Sequence, residues 1–250
     1  MTIFRNAVFL AAIAGLFAGL VMTALQTAST VPLILQAETY EGAEDEAAGG
    51  DALATEDAQE QDAAGHAHDH EEEAWMPADG FERTFYTGLS NVVTGIGFAL
   101  LLVAVSEVAG GIAGWRQGLF WGFAGFGVFT LAPGLGLPPE LPGMPAADLF
   151  ARQVWWIATV ALTAGGLALI AFGRSAALAI VGAALIVVPH VYGAPQPESH
   201  DTLVPADLHH RFVVAVTVTN LVFWLVLGAA VGLVRGRFAE GLGEPQGRLA

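Results

Sequence analysis

Histidines and carboxylates make up the most reactive stretch of the sequence, GHAHDHEEE at residues 65–73. Alternate residues of an extended chain point to the same side, so His66, His68 and His70 can converge on one ion. Imidazole and carboxylate groups without thiolate suit Co²⁺, Ni²⁺, Zn²⁺ or Cu²⁺, and the affinity order alone favours copper. The pattern predicts a metal site, and the alternative is a solvated acidic segment in which three histidines have accumulated. Because nothing preorganises this segment, we expect it to capture metal loosely rather than to catalyse a reaction.

A second group of potential ligands lies between two apolar segments near the C-terminus. His190 ends the first of these segments, where an ionisable residue is costly and tends to be functional. The alternative is an interfacial histidine wetted by lipid headgroups. Glu198 and His200 follow in the next loop and can add metal ligands. His209 and His210 are adjacent, so on a helix they point about 100° apart and would not chelate one ion together.

The composition excludes several kinds of chemistry. The chain has no cysteine, and its nine basic residues are all arginine. Disulfides, thiolate metal sites, iron–sulfur clusters and lysine nucleophiles are therefore excluded. No Walker motif is present, so any dependence on ATP must come from another chain. The net charge of −15 argues against nucleic acid as a partner and is compatible with cations.

The charge is segregated along an otherwise apolar chain. Hydrophobic residues make up 54% of the sequence and charged residues only 13%, where a soluble domain has about 25% charged residues. Of the 24 acids, 16 fall between Glu38 and Glu82. This pattern indicates a polytopic membrane protein with one acidic loop.

Six segments approach the length of about 20 apolar residues that a membrane-spanning helix needs. They cover residues 6–26, 85–105, 119–132, 154–172, 176–188 and 212–234. The third and fifth are short, so five spans is the alternative. An apolar continuation after the first segment contains Pro32, which predicts a kink or a helix end. The predicted fold is an all-α membrane helix bundle of six, alternatively five, transmembrane helices with one disordered acidic outer loop.

The sequence divides into four parts. Residues 1–36 form a first transmembrane segment and residues 37–84 an acidic, histidine-bearing loop. Residues 85–235 form a transmembrane bundle and residues 236–250 a tail. The loop contains too few large apolar residues to offset the entropy of ordering, so we expect it to be largely disordered. The first segment is longer than the apolar region of a usual signal peptide and lacks a clear cleavage site, which favours an uncleaved span.

Orientation follows from the arginines, because cytoplasmic flanks hold the excess of basic residues. A cytoplasmic N-terminus places six of the nine arginines inside and leaves 21 of the 24 acids outside. Every histidine then lies outside or at the outer end of a span. The sequence therefore predicts an outer face that attracts cations.

Several segments resemble the CbtA family of predicted cobalt-transporter subunits. They are TVPLILQAETYE, LAPGLGLPPELPG, RQVWW, PHVYGAP and NLVFW, at residues 30–41, 131–143, 152–156, 189–195 and 220–224. The resemblance extends over nearly the whole chain. The proline–glutamate–proline run and the RQVWW segment are distinctive, whereas apolar stretches alone would not be.

The resemblance implies a multi-pass protein of the bacterial inner membrane that takes part in cobalt uptake for cobalamin synthesis. Its cargo would be Co²⁺, with Ni²⁺ and Zn²⁺ as alternatives, and no cofactor would be permanently bound. Its partner would be a small single-span, histidine-rich subunit of the CbtB type. The family is usually described with about five spans.

The family's apparent motif residues fall mainly on the predicted outer side. Our hypothesis is that the loop collects an ion and passes it to Glu38, Glu140 and His190, which replace its waters as it enters the bundle. Arg152 would orient Asp148 or Glu140 through a charge-assisted hydrogen bond, or would only mark the headgroup boundary.

Two other functions stay open. One is a membrane subunit that binds or senses metal without transporting it. The other is a membrane oxidoreductase in which His190 and a second histidine ligate haem, but this needs histidines at matching depth on facing helices.

Overall fold

The chain is described by a computed structural model over residues 2–52, 77–78 and 80–241. Within those residues every regular element is a helix, which confirms the predicted all-α bundle. The elements are α1 (Thr2–Ala52), α2 (Phe81–Val108), α3 (Trp115–Phe126), a π-helical segment (Gly127–Leu131), α4 (Ala132–Gly136), α5 (Leu149–Phe172), α6 (Ala176–Tyr192) and α7 (Ala206–Gly241).

Within the part of the chain that the structure describes, five helical stretches are long and apolar enough to cross a membrane. They are Phe4–Tyr40, Phe81–Val108, Trp115–Gly136, Leu149–Phe172 and Ala206–Arg237. Helix α6 is apolar but has 17 residues, which gives a length of about 26 Å at 1.5 Å per residue. A hydrocarbon core is about 30 Å thick. All six predicted segments are thus apolar helices, and the choice between five and six spans concerns α6 alone.

Proline does not end the first helix. Pro32 lies inside α1 and leaves the carbonyl of Ala28 without its helical amide donor. The hydroxyl of Thr30 donates to the carbonyl of Gln26 at 3.2 Å, one turn back along the same helix. Of the two outcomes expected at Pro32, a kink or a helix end, the helix end does not occur, because the long apolar helix tolerates the loss of one backbone hydrogen bond.

Helix α1 also extends beyond its apolar part. Residues 37–52 are helical, although their composition places them in the predicted acidic loop. Residues 53–76, which hold the middle of that loop and its three histidines, lie outside the described residues.

The third span is longer than its apolar pattern predicts. Helix α3 passes through the π-helical segment into α4 and reaches Gly136, whereas the sequence predicts an end before Pro133. Pro133 is the second residue of α4 and directly follows the π-helical segment, so the helix continues through it although its missing amide removes one backbone hydrogen bond. Helix α6 likewise continues past Pro189 to Tyr192. An apolar run marks only the part of a helix that is suited to contact lipid. The helix extends beyond that run for as long as its backbone hydrogen bonds continue.

Glycines bring the helices together in three close pairs. A Cβ atom at Gly95 would lie 2.6 Å from the carbonyl oxygen of Gly15 across the α1–α2 contact. A Cβ atom at Gly166 would lie 2.5 Å from the carbonyl oxygen of Gly182 across the α5–α6 contact. Helices α3 and α7 meet in the same way at Gly118 and Gly228. Because only glycine permits such approach, these residues fix which helices are neighbours.

The pairs form a continuous arrangement. Helix α1 packs against both α2 and α7, and α7 packs against α3. The α5–α6 hairpin contacts this group through the π-helical segment and α4. The hairpin is therefore attached to the other helices by short elements.

A small apolar cluster closes one end of the bundle. Five buried residues form this cluster: Ala37 of α1, Leu141 of the loop before α5, Val204 of the loop before α7, and Leu208 and Phe212 of α7. We call this the Glu38 end, because Glu38 follows Ala37. The cluster holds two irregular loops, residues 137–148 and 193–205, in fixed positions against α1 and α7.

Candidate functional site

A cleft of 160 Å³ opens between the two loops at the Glu38 end. Its lining combines prolines with groups that can bind cations, among them Pro138, Glu140, Pro195, His200, Thr202 and His209. Prolines restrict the backbone and donate no amide hydrogen. The side chains therefore supply much of the polar character of the cleft.

A hydrogen bond joins the two loops that form the cleft. The Thr202 hydroxyl donates to the carbonyl of Gly143 at 2.8 Å, and the same hydroxyl oxygen accepts from the amide of Val204 at 3.1 Å. Gly193 begins the second loop with φ of +92°, a conformation that favours glycine. These contacts give the cleft a defined shape.

Glu140 is paired with arginine. Its Oε2 lies 3.0 Å from Nη2 of Arg152, which is in the first turn of α5, and both side chains are partly exposed. Asp148 has another partner, because its Oδ1 accepts a hydrogen bond from the amide of Ala151 at 2.8 Å and caps α5. Of the two partners proposed for Arg152, Glu140 is thus the one in ion-pair contact, and Asp148 helps to begin the helix that presents Arg152.

From the sequence, His209 was considered only together with His210, and the structure places it in the cleft. It lies in the first turns of α7, is half-buried, and its Nε2 is 3.1 Å from the carbonyl oxygen of Pro139. The two residues are 70 positions apart, so no local pattern could reveal their contact.

His200 and Glu198 lie on the exposed loop before α7. Both side chains are exposed, and His200 lines the cleft. Next to them, the Ser199 hydroxyl donates to Oδ2 of Asp201 at 3.0 Å and stabilises the turn. The loop therefore presents an imidazole and a carboxylate to solvent near the cleft.

His190 lies in the last turn of α6, beside the first turns of α5. Its ring packs edge-on against Trp155, with 5.9 Å between ring centroids and an interplanar angle of 74°. The Trp155 indole donates to the carbonyl of Pro189 at 3.2 Å. His190 is half-buried and shares the Glu38 end with the cleft, but its described contact is with an aromatic ring.

Glu38 connects the first two helices. Its Oε1 is 2.5 Å from Nη2 of Arg83, and Nη1 of Arg83 donates to Oε2 at 3.3 Å. Glu38, Glu140 and His190 therefore have three different neighbours. Within residues 2–52, 77–78 and 80–241, no three His, Asp or Glu side chains are grouped closely enough to hold a metal ion. His66, His68 and His70 lie outside the described residues.

The opposite end of the bundle has its own ion pair. Arg235 of α7 contacts Glu107 of α2, and the Arg235 guanidinium also lies against Gly111. Arg116 lies over the ring of Trp115 at 5.5 Å. This end is thus rich in arginine and aromatic residues, as expected for a membrane boundary.

Comparison with known proteins assigns the family. A model of the CbtA family, described as the probable cobalt transporter subunit, matches residues 4–235. No curated protein and no solved structure matches the chain. The family match covers the long apolar helices, except for the last residues of α7, and both loops of the cleft, and it confirms the resemblance drawn from the sequence motifs. The chain therefore belongs to the CbtA family of probable cobalt transporter subunits.

Proposed function

We propose that this chain is the membrane subunit of a Co²⁺ uptake system, which captures the ion at an acidic, histidine-rich outer face and passes it through the helix bundle. The observation that carries the proposal is the family match over residues 4–235, because those residues include five apolar spans. Ni²⁺ and Zn²⁺ are the alternative cargoes, since the same borderline ligands bind them.

The distribution of charge supports capture at the Glu38 end. Arg83 and Arg152 are paired there with Glu38 and Glu140, and Arg211 lies 3.5 Å from Asp207. Each of these arginines has a carboxylate partner, and the acids of residues 38–82 greatly outnumber the arginines at this end. A surface of this sign concentrates cations near the cleft.

Two groups of ligands would act in succession. His66, His68 and His70, in the acidic segment, would collect the ion first. The ion would then pass to a second group of ligands at the bundle: Glu38, Glu140, His190, Glu198 and His200. Arg152 would position Glu140, and Asp148 caps the helix that carries Arg152.

The glycine contacts support a particular route. Backbones touch across the α1–α2, α3–α7 and α5–α6 pairs, so an ion cannot pass within any of these pairs without separating them. The contact between the α5–α6 hairpin and the π-helical segment is not closed by a glycine pair of this kind, and α4 connects that segment to the cleft-lining residue Gly136. π-Helical turns are frequent at functional sites, and Thr130 within this one accepts a hydrogen bond from the Trp224 indole at 3.3 Å. We place the route along this contact.

The remaining parts of the proposal concern location and partner. The positive-inside rule supports a cytoplasmic N-terminus in a bacterial inner membrane. Membership of a family of transporter subunits supports a second component, for which we propose a small single-span, histidine-rich protein of the CbtB type.

Uptake measurements test the proposal. Accumulation of labelled Co²⁺, Ni²⁺ and Zn²⁺ is measured in cells that express the chain with and without the small partner. We expect accumulation of Co²⁺ that His190→Ala and Glu140→Gln both lower, with Gly165→Ala as a control because a Cβ there meets no atom within 4 Å. Undiminished uptake by the first two variants would contradict the proposed ligands. Absence of uptake in every combination, with metal still bound by the purified chain, would favour the non-transporting subunit instead.

A further inference from the structure

We propose that His209 binds the incoming divalent ion directly through Nδ1, as the first protein ligand within the cleft. This inference rests on the proposed function and specifies one ligand for it. The ligand class is a borderline divalent transition ion, such as Co²⁺, Ni²⁺ or Zn²⁺, because imidazole prefers these to Mg²⁺ and Ca²⁺.

The hydrogen bond of His209 determines which ring nitrogen is free. Its Nε2 is 3.1 Å from the carbonyl oxygen of Pro139, and a carbonyl oxygen can only accept. Nε2 therefore carries the hydrogen, and in the neutral ring Nδ1 holds the lone pair. Metal-binding histidines typically donate their second ring N–H to a backbone carbonyl or a carboxylate, which fixes the ring orientation and raises its basicity. His209 has this arrangement before any ion arrives.

The surroundings of His209 suit an ion that keeps part of its water. Glu140 and His200 line the same cleft, and Arg152 pairs with Oε2 of Glu140. The cleft volume of 160 Å³ leaves room for several waters beside an ion. No complete shell of three His, Asp or Glu ligands is assembled among the described residues, so waters fill the other positions. Such a site releases its ion readily, as transport requires.

The neighbouring residue provides a matched control. His210 is exposed, whereas His209 is half-buried and lines the cleft. Adjacent side chains on a helix point about 100° apart, so His210 cannot reach the position that His209 occupies. The two histidines share sequence context and differ in their access to the cleft.

The test is Co²⁺ binding to the purified full-length chain in detergent. Affinity is measured by calorimetry and by the visible ligand-field absorption of Co²⁺, in a background where His66, His68 and His70 are changed to Asn so that these three imidazoles do not contribute. We expect His209→Ala to weaken binding about tenfold or more and to change the absorption, with His210→Ala equal to the background protein.

A second variant separates binding from structure. His209→Gln keeps an N–H donor for the Pro139 carbonyl and removes the imidazole. Weakened Co²⁺ binding by His209→Gln in a protein of unchanged thermal stability supports direct ligation. Background-like Co²⁺ affinity in either His209 variant would overturn the inference.

Uptake assays distinguish failure of the inference about His209 from failure of the proposed function. If cells expressing the unmodified chain accumulate Co²⁺ and His209→Gln accumulates it equally well, the inference fails alone. If the unmodified chain with its partner accumulates no Co²⁺, the proposed function fails, and the binding result with purified protein still decides the role of His209.

Discussion

Nη2 of Arg152 lies 3.0 Å from Oε2 of Glu140, and this contact joins the first turn of α5 to the proline-rich loop that forms one wall of the cleft. The pair fixes the position of a carboxylate beside His200 and His209, which line the same cleft. Because both partners are partly exposed, we expect the pair to matter more for the geometry of the cleft than for the stability of the protein.

Two substitutions of Arg152 test whether the ion pair matters more for the geometry of the cleft than for stability. Arg152→Ala should shift the free energy of unfolding by less than about 1 kcal/mol, as for other exposed ion pairs, but it should lower Co²⁺ uptake because Glu140 loses its orientation. Arg152→Lys should retain part of the uptake, since lysine supplies the charge without the planar fork. Equal uptake in all three proteins would show that the ion pair has no role in transport.

The α5–α6 contact predicts opposite effects for two adjacent glycines. Gly166→Ala places a Cβ atom 2.5 Å from the carbonyl oxygen of Gly182, so we expect a loss of about 1–3 kcal/mol in unfolding free energy from overpacking. Gly165→Ala meets no atom within 4 Å and should be neutral or stabilise the helix by up to about 1 kcal/mol. Denaturation of both variants in mixed micelles measures the difference. Similar stabilities would mean that the two helices are not in backbone contact.

A polar contact inside the bundle links α1 to α2. The Asn91 amide donates to Oε1 of Gln26 at 2.7 Å and to the Thr23 hydroxyl at 3.1 Å. A double-mutant cycle with Asn91→Ala and Gln26→Ala should give a coupling energy of about 0.6 kcal/mol, the average for hydrogen bonds between membrane helices, and at most about 1.7 kcal/mol. Asn220 serves as the control, because its amide donates to Val216 of its own helix at 2.9 Å. A coupling energy of zero would contradict the Asn91–Gln26 contact.

Because the chain has no cysteine, single introduced cysteines can report which side of the membrane each loop faces. If α6 crosses the membrane, Arg174→Cys before it and Gln196→Cys after it face opposite sides. We expect a membrane-impermeant maleimide to label Gln196→Cys in intact cells and Arg174→Cys only after permeabilisation. Labelling of both in intact cells would mean that α6, at 17 residues, does not span the membrane.

The histidines of the acidic loop should influence the apparent affinity of uptake for Co²⁺ more than its maximal rate. Changing His66, His68 and His70 to Asn removes the proposed first collector but leaves the cleft intact. The Co²⁺ concentration for half-maximal uptake should rise, while the maximal rate changes little, because the route through the bundle is unaltered. Complete loss of uptake at saturating Co²⁺ would instead place these histidines on the route itself.

Much of the fold follows from composition along the chain. Long apolar runs give the six helices, and the confinement of 16 of the 24 acids to residues 38–82 gives the charge segregation. Family membership also follows from short motifs. Helix ends were less predictable, as at Pro32 and Pro133, because hydropathy measures preference for lipid and not the persistence of backbone hydrogen bonds.

The sequence by itself determined the class of protein, its apolar helices and the residue types available for binding cations. Tertiary structure decided which of those residues meet: Glu38 pairs with Arg83, and His209 reaches the carbonyl of Pro139. These partners lie 45 and 70 positions apart. Their contact depends on the order and rotation of packed helices. That packing depends on backbone contact at glycines of different helices, which is a property of pairs of segments and not of either segment alone.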